Sequence, residues 1–193
     1  SIDGCTNATC TVSSEESLMG QYSFKMVNVG GGHSYTSPHS GTAGIMSPAV
    51  SGESWTFSVW CKAAPGTETE NTLYVIGLNS SNAWDYTGAN DNSSKSVTCT
   101  DEWTRHEHTH NFNRDDTVSV TVRLDGGQNS TYVDGATTYW DGLQLEQSNN
   151  ATTFYETIPI ADVPVTANSG LYQLFLHGKI LNSPLAFCDG DNF

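Results

Sequence analysis

One eight-residue segment of this sequence alternates strictly between apolar and polar side chains. Its two sets of residues are Val118, Val120, Val122 and Leu124, and Thr117, Ser119, Thr121 and Arg123. Successive side chains of a β-strand point to opposite faces of the sheet, whereas an α-helix repeats about every 3.6 residues. The segment therefore predicts a strand with its apolar face in a core and its polar face toward solvent.

Strand-like runs of the same kind recur along the chain, at residues 21–29, 55–63, 72–78 and 131–140. Turn-forming residues separate the runs, and they include 30–32, Pro65-Gly66 and Asp125-Gly126-Gly127. Only residues 14–19 give a weak sign of helix. Many short strands joined by polar turns predict an all-β fold, a two-sheet antiparallel jelly-roll β-sandwich.

The C-terminal part of the chain differs from the rest. Pro159, Pro164 and Pro184 interrupt it, and it contains the apolar strand-like run 171–181. We therefore predict a jelly-roll sandwich at 1–158 and a C-terminal extension at 159–193. The extension is predicted to be an extra strand of its own domain, a linker, or a strand added to a neighbouring subunit's sheet.

Acidic residues far outnumber basic ones. The chain has 21 Asp and Glu against seven Lys and Arg, a formal net charge of −14. Such a surface repels nucleic acid and anionic lipid. No run approaches the roughly 20 apolar residues of a membrane span. We therefore expect no nucleic-acid partner and no membrane insertion, which leaves neutral glycans, cations or other proteins as partners.

The five cysteines form no C-x-x-C pair, which argues against a thiolate zinc site. Cys5 and Cys10 are close enough in sequence to bridge locally. Cys61 and Cys99 both lie in strand-like runs and could bridge neighbouring strands. Cys188, in the extension, is then a candidate for an intermolecular link. The alternative is that these are buried thiols.

Asn-x-Ser/Thr sequons mark candidate glycosylation sites. They begin at Asn7, Asn79, Asn92, Asn129 and Asn150. Most lie in turn-like segments, as expected for surface loops of an extracellular glycoprotein.

Three segments carry a resemblance to a known group of domains. They are residues 20–26 (GQYSFKM), 52–63 (GESWTFSVWCKA) and 139–147 (YWDGLQLEQ), the last followed by 151–154 (ATTF). In this order and spacing, over residues 13–158, they resemble carbohydrate-binding-module-like jelly rolls of families 4, 9 and 22. Similar domains occur in phage tail and virion structural proteins. The resemblance implies a jelly roll used for sugar binding, capsid decoration or assembly.

Asp141 lies where the resembling family often has a ligand of a structural calcium ion. A carboxylate beside a turn can join backbone carbonyl oxygens in such a site. Gly142 stands where many relatives have a second acidic residue. The resemblance thus implies structural Ca²⁺ at Asp141, and the alternative is a surface aspartate that caps a turn.

Histidine recurs at every second position near residue 108. In a strand, one face would carry His106, His108 and His110, and the other Arg105, Glu107 and Thr109. Neutral imidazoles bind Zn²⁺, Cu²⁺ or Ni²⁺, but the first and third would stand about 13–14 Å apart along a strand. Adjacent pairs are therefore the better ligands for a transition metal. The alternatives are a pH-sensitive contact and ordinary hydrogen-bonded histidines.

Aromatic residues offer a second candidate site. Trp84, Asp85 and Tyr86 stand together in a loop-like stretch, and the sugar rings of a glycan stack on such side chains. Trp60 lies on the face of its strand opposite Phe57, so it could line a concave sheet. We predict glycan binding at these residues, and the alternative is that the aromatic rings fill the core.

Motifs of the common enzyme classes do not occur in the sequence: it lacks G-x-S-x-G, H-E-x-x-H, a P-loop and a dinucleotide-binding fingerprint. We therefore predict no enzymatic activity and no required cofactor. The predicted function is that of a structural subunit of an extracellular or virion surface assembly, which self-associates or binds other subunits. The alternative is a lectin-like glycan-binding module that targets a cell surface or a polysaccharide.

Overall fold

The structure, a computed structural model, describes residues 5–36, 47–80, 91–128, 131–154, 175–176 and 179–180. Their strands are β1 (Cys5–Thr6), β2 (Ala8–Ser13), β3 (Ser23–Asn28), β4 (His33–Thr36), β5 (Ser47–Pro48), β6 (Ser54–Ala63), β7 (Thr69–Leu78), β8 (Asn92–Cys99), β9 (Thr104–Asn111), β10 (Ser119–Gln128), β11 (Thr137–Glu146), β12 (Phe175–Leu176) and β13 (Lys179–Ile180). None of the described residues is α-helical. Residues 14–19, the weak helix candidate, form bends instead.

Strands β1 to β11 form two antiparallel sheets. The five-stranded sheet has the order β2-β3-β11-β6-β9. The six-stranded sheet has the order β1-β4-β10-β7-β8, and the short β5 also pairs with β10. Strands β12 and β13 pair only with each other among the described strands. The predicted two-sheet antiparallel β-sandwich of jelly-roll type is thereby confirmed.

The core lies between the two sheets and follows the alternation in the sequence. Strand β6 turns one set of side chains inward: Trp55, Phe57, Val59 and Cys61. Strand β10 faces them from the other sheet with Val120, Val122 and Leu124. The period of two therefore places one face of each strand in the same apolar interior.

The polar face of β10 is also buried, contrary to the prediction of a solvent-facing side. Arg123 is only 2% exposed, and it pairs with Asp125, which has no exposed surface. The guanidinium of Arg123 lies 3.9 Å from the ring centre of Tyr35 and 5.2 Å from that of Tyr74. The ion pair and the contacts with two aromatic rings offset the desolvation cost of burying the guanidinium.

The predicted turn at Asp125-Gly126-Gly127 is wrong, because β10 continues through it. The register against β4 shifts between Asp125 and Gln128, which marks an irregularity of the bulge type. A Cβ on Gly126 would lie 2.5 Å from the side-chain oxygen of Asn28. Glycine is needed here because another side chain packs directly against the backbone.

Two disulfides connect the cysteines in the predicted pairs. Cys5 bonds to Cys10, and Cys61 bonds to Cys99. The second bridge joins β6 of the five-stranded sheet to β8 of the six-stranded sheet, so it links the two layers rather than neighbouring strands of one sheet. Cys188 lies outside the described residues.

The predicted boundary at residue 158 falls outside the described residues, so the division into sandwich and extension stays a prediction. Of the extension, the structure describes only the β12–β13 pair. In the part of the chain described, no helix is long and apolar enough to cross a membrane.

Candidate functional site

The outer face of the five-stranded sheet has a tryptophan near its centre. Trp60 of β6 points away from the core and stands in register between Asp141 of β11 and Arg105 of β9. The side chain is half-buried. No described residue accepts a hydrogen bond from its indole N–H, and this group is not among the buried unpartnered atoms. Trp60 therefore presents ring surface and a hydrogen-bond donor to solvent.

Residues 14–19, here named the N-terminal strap, cross one part of this face. Glu15 in the strap accepts hydrogen bonds from Lys25 Nζ (2.6 Å) and from the Tyr139 hydroxyl (2.8 Å). The hydrogen bond from Lys25 lowers the pKa of the Glu15 carboxyl. Burial, followed by the hydrogen bond to Glu15, raises the pKa of Tyr139. The strap is thus held to the sheet by an ionised carboxylate.

Asp141 fixes the same strap through backbone hydrogen bonds. Its Oδ2 accepts the N–H groups of Leu18 and Met19, both at 2.9 Å, and its Oδ1 accepts the N–H of Gly142 at 2.7 Å. These partners are donors, whereas a calcium site needs oxygen ligands around the ion. The arrangement is that of an aspartate capping a turn, so the surroundings of Asp141 do not fit the calcium ion that the resemblance implies.

Residues 148–152, the C-terminal strap, cover another part of the face. Thr152 donates its N–H to Glu146 Oε2 (2.9 Å) and its hydroxyl to Glu146 Oε1 (2.6 Å). Its hydroxyl accepts from Gln144 Nε2 at 3.0 Å, and its carbonyl accepts from Arg105 Nη2 at 2.7 Å. Side chains of the sheet therefore bind this strap, chiefly through the backbone and hydroxyl of Thr152.

Trp60 lies between the two straps. Lys62, Trp60 and Ser58 alternate along β6 and share its outer face. On one side, Lys62 bonds to Glu16 of the N-terminal strap at 2.7 Å. On the other side, Ser58 accepts a hydrogen bond from Arg105, which also holds the C-terminal strap. We call this stretch of the outer face, which contains Trp60 and lies between the two straps, the Trp60 groove.

Arg105 is the second notable residue of the groove. Its Nη2 donates to Ser58 Oγ (2.9 Å), Gln144 Oε1 (2.8 Å) and the Thr152 carbonyl (2.7 Å). Its Nε is buried and has no hydrogen-bond partner. The sequence placed Arg105 opposite the histidines but gave it no function, because the alternation of β9 shows only which face it occupies.

The three histidines share one face of β9, as the alternation predicts, and this face is turned toward the core. Their imidazoles bind different partners: His108 Nε2 contacts Ser93 Oγ at 2.8 Å, and His110 Nε2 contacts Asp91 Oδ1 at 2.9 Å. His106 Nε2 is buried without a partner. The register of β9 against β6 shows no shift that would bring all three together.

Burial is the main influence on two of these histidines. Desolvation, with a smaller contribution from the charge of Lys95, lowers the pKa of His106. Desolvation also lowers the pKa of His108, against an opposing hydrogen bond with Ser93. The described residues contain no group of three or more His, Cys, Asp or Glu side chains arranged to hold a metal ion. Transition-metal binding at this row stays a prediction.

Several predicted residues lie outside the described part of the chain, namely Trp84, Asp85, Tyr86 and Asn129. Their roles stay predictions. Of the other sequons, Asn7 is exposed but donates its side-chain N–H to the His33 carbonyl at 2.8 Å. Asn79 follows β7, Asn92 begins β8, and Asn150 is exposed in the C-terminal strap. Glycosylation at these positions stays a prediction too.

No protein-family model matches the sequence, and no curated protein sequence matches it either. Solved structures with a similar fold include the CBM22-1 xylan-binding domain of Paenibacillus barcinonensis Xyn10C, with a TM-score of 0.48 at 12% identity over 74% of this chain and 84% of that one. The C-terminal family 22 carbohydrate-binding module of Clostridium thermocellum Xyn10B has a TM-score of 0.45 at 16% identity, over 75% of this chain and 86% of that one.

A phage protein also has a similar fold. The enzymatically active domain of tailspike protein 4 from bacteriophage CBA120 has a TM-score of 0.47 at 10% identity, over 74% of this chain and 18% of that one. At these identities and TM-scores the similarity says nothing about a ligand or a role.

Proposed function

We propose that this domain is a non-catalytic glycan-binding module of an extracellular protein, and that the Trp60 groove binds the glycan. The observation that supports this most directly is the half-buried Trp60 ring, whose indole N–H has no partner among the described residues and which lies between two polar straps. The two disulfides are typical of proteins from an oxidising, extracellular environment.

The groove has the two kinds of group that a sugar ring needs. The apolar face of the ring stacks on an aromatic side chain, and hydroxyl groups exchange hydrogen bonds with polar neighbours. Here Trp60 provides the aromatic surface, while Arg105 and Gln144 provide a donor and an amide beside it. Trp84, Asp85 and Tyr86 are proposed as further contacts, to be tested separately.

The test replaces Trp60 by alanine and measures binding to a panel of immobilised polysaccharides, with quenching of tryptophan fluorescence as a second readout. We expect Trp60→Ala to weaken binding by roughly tenfold or more, because the stacking surface is lost. Tyr22→Ala is the matched control, since Tyr22 is 58% exposed and its phenol lacks a partner in the described part of the chain.

The two variants separate the outcomes. Loss of binding in Trp60→Ala, with normal binding in Tyr22→Ala, supports the groove as the site. Equal binding by wild type and Trp60→Ala contradicts it, and Trp84→Ala and Tyr86→Ala would then show whether the other predicted site binds. Circular dichroism of each variant confirms that the sheets are intact.

A second candidate function is that of a structural subunit of an extracellular or virion surface assembly. The observation that favours it is the cysteine pairing: four of the five cysteines are bonded to each other, so Cys188 has no other cysteine left among these 193 residues. An intermolecular disulfide at Cys188 would link copies of the chain or bind another subunit.

A further inference from the structure

We propose that Arg105 recognises a carboxylate on the glycan, so that the Trp60 groove binds a chain containing uronic acid. This inference rests on the proposed function and names the class of sugar. Arg105 lacks the carboxylate partner that most other basic side chains of the described chain have.

Most cations of the described chain are paired with a carboxylate of the same molecule. These ion pairs are Lys25–Glu15, Lys62–Glu16, Arg114–Asp116 and Arg123–Asp125. Arg105 differs, because the three oxygens that its Nη2 contacts all belong to neutral groups and no described carboxylate lies within 4 Å. A half-buried guanidinium without a counter-ion carries a desolvation cost that an anionic ligand would offset.

Lys95 also lacks a carboxylate partner, but its situation is different. Its side chain is exposed and donates to the backbone carbonyl of Glu107 at 3.0 Å. An exposed ammonium on a flexible side chain is well hydrated and has little need of a counter-ion. Lys95 lies on β8, the edge strand of the other sheet, and is therefore a matched control for the effect of removing one positive charge.

The geometry around Arg105 is suited to recognition. Three acceptors hold its Nη2, so the plane of the guanidinium is fixed before any ligand arrives. Its Nη1 has no partner in the described part of the chain and is not among the buried unpartnered atoms, so it faces solvent. A fixed guanidinium with exposed donors matches the planar carboxylate group.

Trp60 lies directly opposite Arg105 in the register of β6 and β9. Opposed side chains on one face of an antiparallel pair have Cβ atoms about 4.5–5.5 Å apart. A single sugar ring stacked on Trp60 would therefore bring a substituent within reach of Arg105. A pyranose with a carboxylate at its C6 position combines the two requirements, an apolar ring face and an anionic edge.

The strongly negative net charge does not prevent this contact. At physiological ionic strength, charges separated by more than about 8 Å are largely screened. Asp141 stands opposite Trp60 and accepts hydrogen bonds from the N-terminal strap, and Glu107 and Glu146 accept hydrogen bonds from the C-terminal strap. None of these carboxylates forms an ion pair with Arg105, and the net charge of −14 affects mainly the rate of approach.

The experiment compares two polymers, polygalacturonate and alginate, by affinity electrophoresis and calorimetry. Each is used with free carboxylate groups, called here the acid form, and as its methyl ester. We expect the wild-type protein to bind the acid form of at least one polymer about tenfold or more tightly than its ester, as for a hydrogen bond between charged groups. Raising the salt concentration should reduce this preference. Arg105→Gln should abolish it, and Lys95→Gln should leave it unchanged.

Equal binding of acid and ester forms by the wild type would overturn the inference, and so would a preference that survives in Arg105→Gln. Should Arg105→Gln fail to fold, Arg105→Lys keeps the charge without the planar donors and should lose most of the preference. If neutral polysaccharides bind in a way that depends on Trp60, and polymers with free carboxylates bind no better than their esters, the proposed recognition of a carboxylate is wrong but the proposed function stands. No glycan binding in any form overturns the proposed function as well.

Discussion

At the scale of single residues, Gly142 shows how tightly the N-terminal strap packs on the sheet. Its φ of +57° lies in the left-handed region, within the register shift between Asp141 and Gln144. A Cβ here would lie 2.2 Å from Met19 Cε and 3.0 Å from Trp60 Cδ1. The positive φ therefore requires glycine here, and a Cβ would also press on the Trp60 ring, whereas Met19 Cε is the end of a flexible side chain that can move aside.

Gly142→Ala should therefore destabilise the protein by about 2–4 kcal/mol, the sum of a strained backbone and a close contact with the Trp60 ring. Gly66→Ala is the matched control, because Gly66 also has a positive φ of +76° but nothing lies within 4 Å of its Cβ position. It should cost only about 1–2 kcal/mol. Denaturant unfolding measures both, and equal losses would contradict a cost from the contact with Trp60.

The buried histidines of β9 make stability depend on pH. Burial lowers the pKa of His106 and His108 below the ordinary value of 6.5, which describes them in the unfolded chain. The unfolded chain therefore binds protons at a higher pH than the folded one does. The contribution of these residues to stability is complete above pH 6.5 and falls as the pH drops below it.

Replacing His106 by leucine should reduce this loss of stability in acid, because leucine has no group to protonate and removes a buried Nε2 that has no partner, although it also removes the hydrogen bond of His106 with the backbone of Thr98. Urea unfolding at several pH values between neutral and mildly acidic conditions measures the effect. A curve parallel to that of the wild type would mean that His106 is not responsible. His108 and His110 bond to Ser93 and Asp91, so they are less suitable for replacement.

At the scale of strands and sheets, both disulfides join the five-stranded sheet to the six-stranded sheet, but they close loops of different length. Cys61–Cys99 joins β6 to β8 with a sequence separation of 38. Cys5–Cys10 joins β2 to β1 with a separation of five. A longer closed loop restricts the unfolded chain more strongly, so Cys61–Cys99 should contribute more to stability.

Cys61→Ala combined with Cys99→Ala should lower the free energy of unfolding by about 4 kcal/mol, from loop entropy alone. The control is Cys5→Ala combined with Cys10→Ala, for which the same relation gives about 2 kcal/mol. Thermal and denaturant unfolding of the two double variants measure the difference. A larger loss for the Cys5 and Cys10 variant would show that the disulfides do not stabilise the protein mainly by restricting the unfolded chain.

Many of the strands could be predicted from the sequence, because the alternation of apolar and polar side chains is a local property. It correctly predicted β6 and the inward side chains of Val120, Val122 and Leu124 in β10, whereas Val118 precedes β10 and is 45% exposed. It failed for the polar face of β10, since the burial of Arg123 depends on Tyr35 and Tyr74, which are remote in sequence. The straps have no periodicity at all, and they are fixed by contacts such as that of Leu18 with Asp141, 123 residues away.

At the scale of the whole molecule, net charge constrains how copies of this domain can meet. A formal charge of −14 makes identical copies repel each other. Nonspecific association is therefore disfavoured, and an assembly of this chain needs a specific link. With four cysteines paired inside the chain, a disulfide through Cys188 would provide such a link without a large apolar interface.

Light scattering of the native protein with and without reductant tests that assembly. If Cys188 links subunits, the mass should exceed the 20.8 kDa of one chain and should fall on mild reduction. Cys188→Ser should have the monomer mass in both conditions, while the Cys5→Ala and Cys10→Ala double variant should keep the higher mass. A wild-type mass near 20.8 kDa in both conditions would exclude the intermolecular disulfide and leave glycan binding as the function to pursue.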